Sequence, residues 1–134
     1  MTKATENFII AELKAYHWTV ATLEAQRMEL IEAGPGPSDG MPRGTQTSDP
    51  TASKAMQLLT SKVMLCAERR VAAIDRVLGR HRDDETLMAL VDLSFLSRTH
   101  TPTGVCLELH ISRRSYYRRR RAFLAEIADE LGLD

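Results

Sequence analysis

Ser112 to Arg121 reads Ser-Arg-Arg-Ser-Tyr-Tyr-Arg-Arg-Arg-Arg, and its reading decides the fold. Six arginines fall in nine positions from Arg113 to Arg121, without an acid and with two tyrosines between them. A serine hydroxyl caps a helix start, where free backbone N–H groups and the positive end of the helix dipole already favour an anion. Spacing at about 100° per residue puts Tyr116, Phe123 and Ile127 on one side, flanked by Leu124 and Arg120. Arg114, Arg118 and Arg121 fall opposite, with Tyr117 beside them and Arg113 in the first turn. A solvated charged face normally mixes both signs. This one carries a single sign, which suits phosphates and base edges.

The preceding residues sharpen that expectation. Thr101-Pro102 has the form of an N-cap followed by proline at the first helical position, where the missing N–H is not needed. A short helix from about Pro102 to Leu109, a tight turn at His110-Ile111 and the Ser112 cap follow, with Val105, Leu109 and Ile111 spaced to pack on Tyr116. The pattern is that of a helix-turn-helix with a basic second helix. Gly104 lies within the first of these helices at a cost of about 1 kcal/mol against alanine. His110 occupies a turn position that Gly or Asn fills more comfortably.

The formal charge of the 134 residues is zero, and that zero conceals a split. Arg98 to Arg121 holds seven arginines and one acid, Glu108, a surplus of +6, while the remainder holds 11 basic and 17 acidic groups. A neutral total is therefore no argument against a nucleic-acid partner. Cys66 and Cys106 are too few for a disulfide framework, and each is expected as a buried thiol on the apolar side of a helix. No apolar run approaches the ~20 residues of a membrane span and no signal-peptide pattern opens the chain, so a cytoplasmic location is expected.

Toward the N-terminus, Thr5 to about Glu32 reads as one long helix. Ile9, Leu13, Tyr16, Val20, Leu23 and Leu30 form a coiled-coil type stripe interrupted by Arg27, and Phe8, Ile10, His17 and Trp18 lie off its centre. Nothing near His17 completes a metal set. Residues 33–48 hold four glycines and three prolines in sixteen positions and read as a linker, without the strand and Lys-Ser/Thr step of a phosphate loop. Asp49-Pro50 restarts helix. Ala52, Met56, Leu59, Val63, Cys66, Arg70, Ala73 and Val77 then keep the same spacing over a length that matches the first helix, which predicts antiparallel pairing, or pairing of the same stripes between chains. The acidic triplet Asp83-Asp84-Glu85 is explained by the dipole of a further helix reaching about Leu96. Leu131-Gly132 marks the last helical stop.

The fold expected is all-α: a long antiparallel helical hairpin over residues 1–82, for oligomerisation or partner binding, and a helix-turn-helix module over 83–134. No catalytic constellation, metal set or cofactor motif is found, so no enzyme activity is expected.

The block Asp83 to Leu131 resembles a sigma-factor region-4 helix-turn-helix. The long first helix with Glu12-Leu13 and Tyr16-His17, the Gly/Pro linker, the Ser48 to Ala52 restart and Ile-Ser-Arg-Arg-Ser-Tyr-Tyr-Arg together resemble the RinA/ArpU-like phage transcriptional regulators. That resemblance implies activation of phage late or packaging genes, with the C-terminal module on double-stranded DNA. Arg113, Arg114, Tyr117 and Arg118 are then expected near base edges, and Ser112, Arg119 and Arg121 at phosphates. The hairpin is expected to form a homodimer or to contact RNA polymerase. Two rivals fit the same pattern: a small terminase-type packaging protein, and a helical adaptor whose basic helix docks an acidic protein.

Overall fold

In the computed structural model, residues 1–33 and 50–133 are described, and within them the protein is entirely helical. The order is α1 (Lys3–Lys14), α2 (Tyr16–Ala33), α3 (Pro50–Arg80), α4 (Glu85–Val91) continuing as a π-helical segment (Asp92–Leu96), α5 (Pro102–Leu109) and α6 (Arg113–Glu130). Past Ala33, the expected linker 33–48 lies outside the described residues, as do the Asp49 cap and the side chains of Leu30 and Ala52.

The first helix departs from the expectation of a single rod. It is interrupted at Ala15 (φ −90°, ψ 0°), whose N–H still bonds the Ala11 carbonyl. The interruption divides one apolar stripe between two neighbours: α1 packs on α6 and the π segment, while α2 packs on α3. The hairpin is therefore made by α2 and the C-terminal half of α3. Tyr16 hydrogen-bonds Asp75 and Arg27 meets Glu68 at 3.3 Å, so the two helices run antiparallel.

One core joins all these elements. Ile9 and Leu13 of α1, Ile74 and Val77 of α3, Leu87, Leu90 and Val91 of α4, Phe95, Val105, and Tyr116, Phe123, Leu124 and Ile127 of α6 are buried together. The expected division at residues 82–83 coincides with no gap in this packing. Electrostatic ties cross it as well. Arg76 and Arg80 hold Glu130 at 2.9 and 2.6 Å, and His81 lies 2.7 Å from Glu126, which fastens the end of α3 to the end of α6. The hydrogen bonds from Arg80 and then Arg76 lower the Glu130 carboxyl below its ordinary range.

Cys106 is buried as expected, but Cys66 is exposed. It lies at the middle of α3, short of the stretch that Tyr16 to Arg27 covers, where the exposed N-terminal half begins. Met56, Leu58, Leu59, Val63 and Leu65 on the same half are 57–64 % exposed.

Candidate functional site

Local chemistry builds the C-terminal pair of helices as its sequence suggests. The Thr101 hydroxyl accepts from the Gly104 N–H at 3.1 Å, and Pro102 takes the first helical position. Gly104 thus sits in the capped first turn. The turn after α5 is made by His110 in the left-handed region (φ 56°), with the Ile111 N–H reaching back to the Cys106 carbonyl at 3.1 Å. Ser112 then caps α6 by accepting from Ser115 N–H at 3.1 Å. At the far end Gly132 adopts φ 73° and Leu133 N–H closes on the Ala128 carbonyl at 2.7 Å. A single left-handed glycine is the cheapest way to end such a helix.

Burial sets the roll of α6 about its axis. Tyr116 is 2 % exposed, with Phe123, Leu124 and Ile127 at 1 % or less. Its hydroxyl lies 3.2 Å from the Ser94 hydroxyl on the π segment, so the ring is placed by packing and its polar tip by a partner. The α-to-π transition inserts an extra backbone position into the turn, and here it directs Phe95 into the core and Ser94 to Tyr116.

With Tyr116 inward, Arg113, Arg114, Tyr117, Arg118 and Arg121 are exposed, together with the Ser112 cap. Among the described residues, none of these four arginines has a carboxylate within 4 Å. Tyr117 stands edge-on to Tyr116, centroids 4.9 Å apart, and remains 41 % exposed. Its neighbour Arg120 turns inward, with its guanidinium 5.6 Å from the Phe95 ring centre and 3.4 Å from Glu6 of α1.

Arg119 differs from the arginines expected beside it. It lies 3.3 Å from Asp84, whose other oxygen caps α4 by accepting from Leu87 N–H. One turn of α6 thus braces two elements, Arg119 against α4 and Arg120 against α1. The Arg119 Nε is enclosed without a hydrogen-bond partner among the described residues. The remaining sequence candidates gather along one face of α6.

Three other basic side chains come close to α6 without having been singled out. Lys14 ends α1, and Arg98 and His100 belong to the connection before α5; with Arg120 they line a cavity of about 300 Å³. Arg98 contributes to the charge surplus of the basic block, but nothing in a linear reading joins it to Lys14, more than eighty residues earlier. Only the packing of α1 against α6 does so.

His17 is exposed, its ring edge against Tyr16. Among the described residues no group of three or more His, Cys, Asp or Glu side chains is placed to hold a metal ion. No described helix is long and apolar enough to cross a membrane. Comparison with protein-family models, with curated proteins and with solved structures finds no match to this chain.

Proposed function

We propose that this protein binds double-stranded DNA through α6 and acts as a transcriptional regulator of the phage late-gene activator kind. The observation that carries the reading is the roll of α6: burial of Tyr116, Phe123 and Ile127 leaves Arg113, Arg114, Arg118 and Arg121 outward, unpaired with any described carboxylate and beside an exposed tyrosine. In this reading α5, the His110 turn and α6 are a helix-turn-helix, with α6 in the major groove. Arg113, Arg114, Tyr117 and Arg118 approach base edges, while Ser112 and Arg121 hold backbone phosphates. Arg119, tied to Asp84, positions α6 against α4.

A specific site must be read by two such helices or by one with additional contacts, and the exposed stripe of α3 supports the former. Met56, Leu59 and Val63 recur at the 3,4 spacing of a helix–helix seam, and an apolar patch of this kind is ordinarily covered. A second copy of the chain, paired through the outer half of α3, gives a homodimer that presents two α6 helices.

The test is the salt dependence of duplex binding. Each phosphate that the bound protein neutralises steepens the slope of log affinity against log salt by about 0.9, so about three to five such contacts across the two copies give roughly −3 to −4.5. A response that is flat in salt sinks the DNA reading and favours the helical adaptor with an acidic partner. A ring-sized mass in place of a dimer favours the packaging protein. Selection from a random duplex pool then supplies the target sequence.

A further inference from the structure

Beside the α6 face lies the cavity that Lys14, Arg98, His100 and Arg120 line. These side chains arrive from three separate parts of the chain: the end of α1, the connection before α5, and α6. Among the described residues no carboxylate lines the cavity, and its neutral polar groups are the Ser94 and Tyr116 hydroxyls. Arg120 has Glu6 at 3.4 Å, whereas Lys14 and Arg98 have no carboxylate within 4 Å among the described residues. Gathering like charges in one concavity is unfavourable unless an anion enters it.

The backbone supports the same conclusion. Arg98 is held at φ 55°, a left-handed conformation that a non-glycine residue adopts at a cost. It is held there because the Thr99 and His100 N–H groups both bond the Leu93 carbonyl, at 3.2 and 3.3 Å, after the π segment. The Thr99 hydroxyl lies 2.8 Å from His100 Nδ1, which engages that side of the ring and leaves Nε2 available. A lysine, two guanidinium groups and an imidazole nitrogen around about 300 Å³ suit a tetrahedral oxyanion with the sugar or waters that accompany it.

We infer that this cavity receives a phosphate group, held by Lys14, Arg98 and Arg120 with His100 Nε2 as a further donor. The group has two sources: the backbone of bound duplex, or a free phosphate-bearing solute. The duplex source rests on the DNA reading above. Arg120 lines the cavity with its guanidinium 6.0 Å from the Tyr117 ring centre, and Pro102 brings the start of α5 to its edge. In that source α1 extends the interface beyond α5 and α6.

The test uses the full-length chain and the double variant Lys14→Gln/Arg98→Gln, with a melting curve to show that the fold is kept. Duplex affinity is measured across a salt series, and backbone amide shifts are followed while inorganic phosphate is added. The expected result is a salt slope shallower in the variant by about two for each copy bound, with phosphate shifting the Arg98 and His100 amides of the unmodified chain alone. If the slope is unchanged but the phosphate response is lost, the cavity is a phosphate site and the duplex source is overturned. If both are unchanged, the inference falls while duplex binding by α6 stands. If the unmodified chain binds no duplex, the α6 reading falls and the phosphate titration alone decides the cavity. Arg98→Gly guards against a folding artefact, because it removes the charge while relieving the left-handed strain. It should melt higher and yet bind phosphate more weakly.

Discussion

Within α3 the apolar positions recur at one spacing, yet Ala73, Ile74 and Val77 are 0–1 % exposed while Met56, Leu59 and Val63 are 58–64 % exposed. The two halves belong to the same helix and differ in their neighbours. α6 packs on the C-terminal half, whose Ile74 and Val77 enter the common core, Glu12 of α1 meets Arg70, and α2 covers the stretch from Glu68 to Asp75. Periodicity states which side of a helix is apolar; it does not state what will cover that side. The inner half therefore serves stability, and the outer half is the part to which the proposed association is assigned.

The largest expected effect belongs to the inner half and the core it enters. Tyr116→Ala removes a buried ring and should cost about 3 to 5 kcal/mol in thermal or denaturant unfolding, and Ile74→Ala removes a buried side chain and should cost about 2 to 5 kcal/mol. Loss of DNA binding in these variants should follow from unfolding. Leu59→Ala should by contrast change the stability of the isolated chain by no more than about 0.5 kcal/mol. Equal losses at Ile74 and Leu59 would break the distinction between the halves.

Association is next in size. Leu59→Glu with Val63→Glu places charges in the proposed seam, and sedimentation should show a monomer where the parent chain is a dimer. A dimer melts at a temperature that depends on protein concentration, and this variant should lose that dependence. A parent chain that is monomeric at micromolar concentration removes the function assigned to the outer half.

Smaller effects sharpen the same contrast within α6. Arg114→Ala or Arg118→Ala should relax preference at one base pair by about 1 to 3 kcal/mol if that side chain reads a guanine. Tyr117→Ala should weaken binding while leaving the fold within about 0.5 kcal/mol. Should Tyr117→Ala melt early and Tyr116→Ala stay folded, the roll of α6 assigned above is wrong, and its DNA-facing arginines are wrong with it.

The smallest effect is set by pH. Burial, reinforced by the hydrogen bond to Asp75, pushes the Tyr16 phenol up to about 12. The unfolded phenol titrates near 10, so the folded state holds this proton more tightly. The stabilisation is complete below about pH 10 and is lost as pH rises through about 12. Tyr16 should form phenolate late in an absorbance titration, and Asp75→Asn should bring it earlier.

Local chemistry made much of the C-terminal part legible in the sequence. The caps Thr101 and Ser112, the start of α5 at Pro102 and the stop at Gly132 each depend on a few neighbouring residues, and they stand where their side chains require. The spacing of Tyr116, Phe123 and Ile127 likewise identified the buried side of α6. What escaped was set at long range. Nothing near Ala15 announces an interruption, which shows itself only because α6 and α3 claim the two parts of the first stripe. The π segment meets α6 through a contact of the Ser94 and Tyr116 hydroxyls, twenty-two positions apart. Arg119 is tied to Asp84, thirty-five positions earlier. Cys66 was expected inside because its helix face was apolar, and it is outside because α2 covers α3 further along.

α3 is an unbroken run of 31 residues, so no joint separates the exposed seam from the half that grips α6. It behaves as a shaft with a defined phase. Each residue added between Leu65 and Ala73 turns one half against the other by about 100° and advances it by about 1.5 Å. Seven added residues restore the relation to within about 20°, whereas two turn it by about 200°. In a dimer this phase decides which side of the duplex each α6 meets.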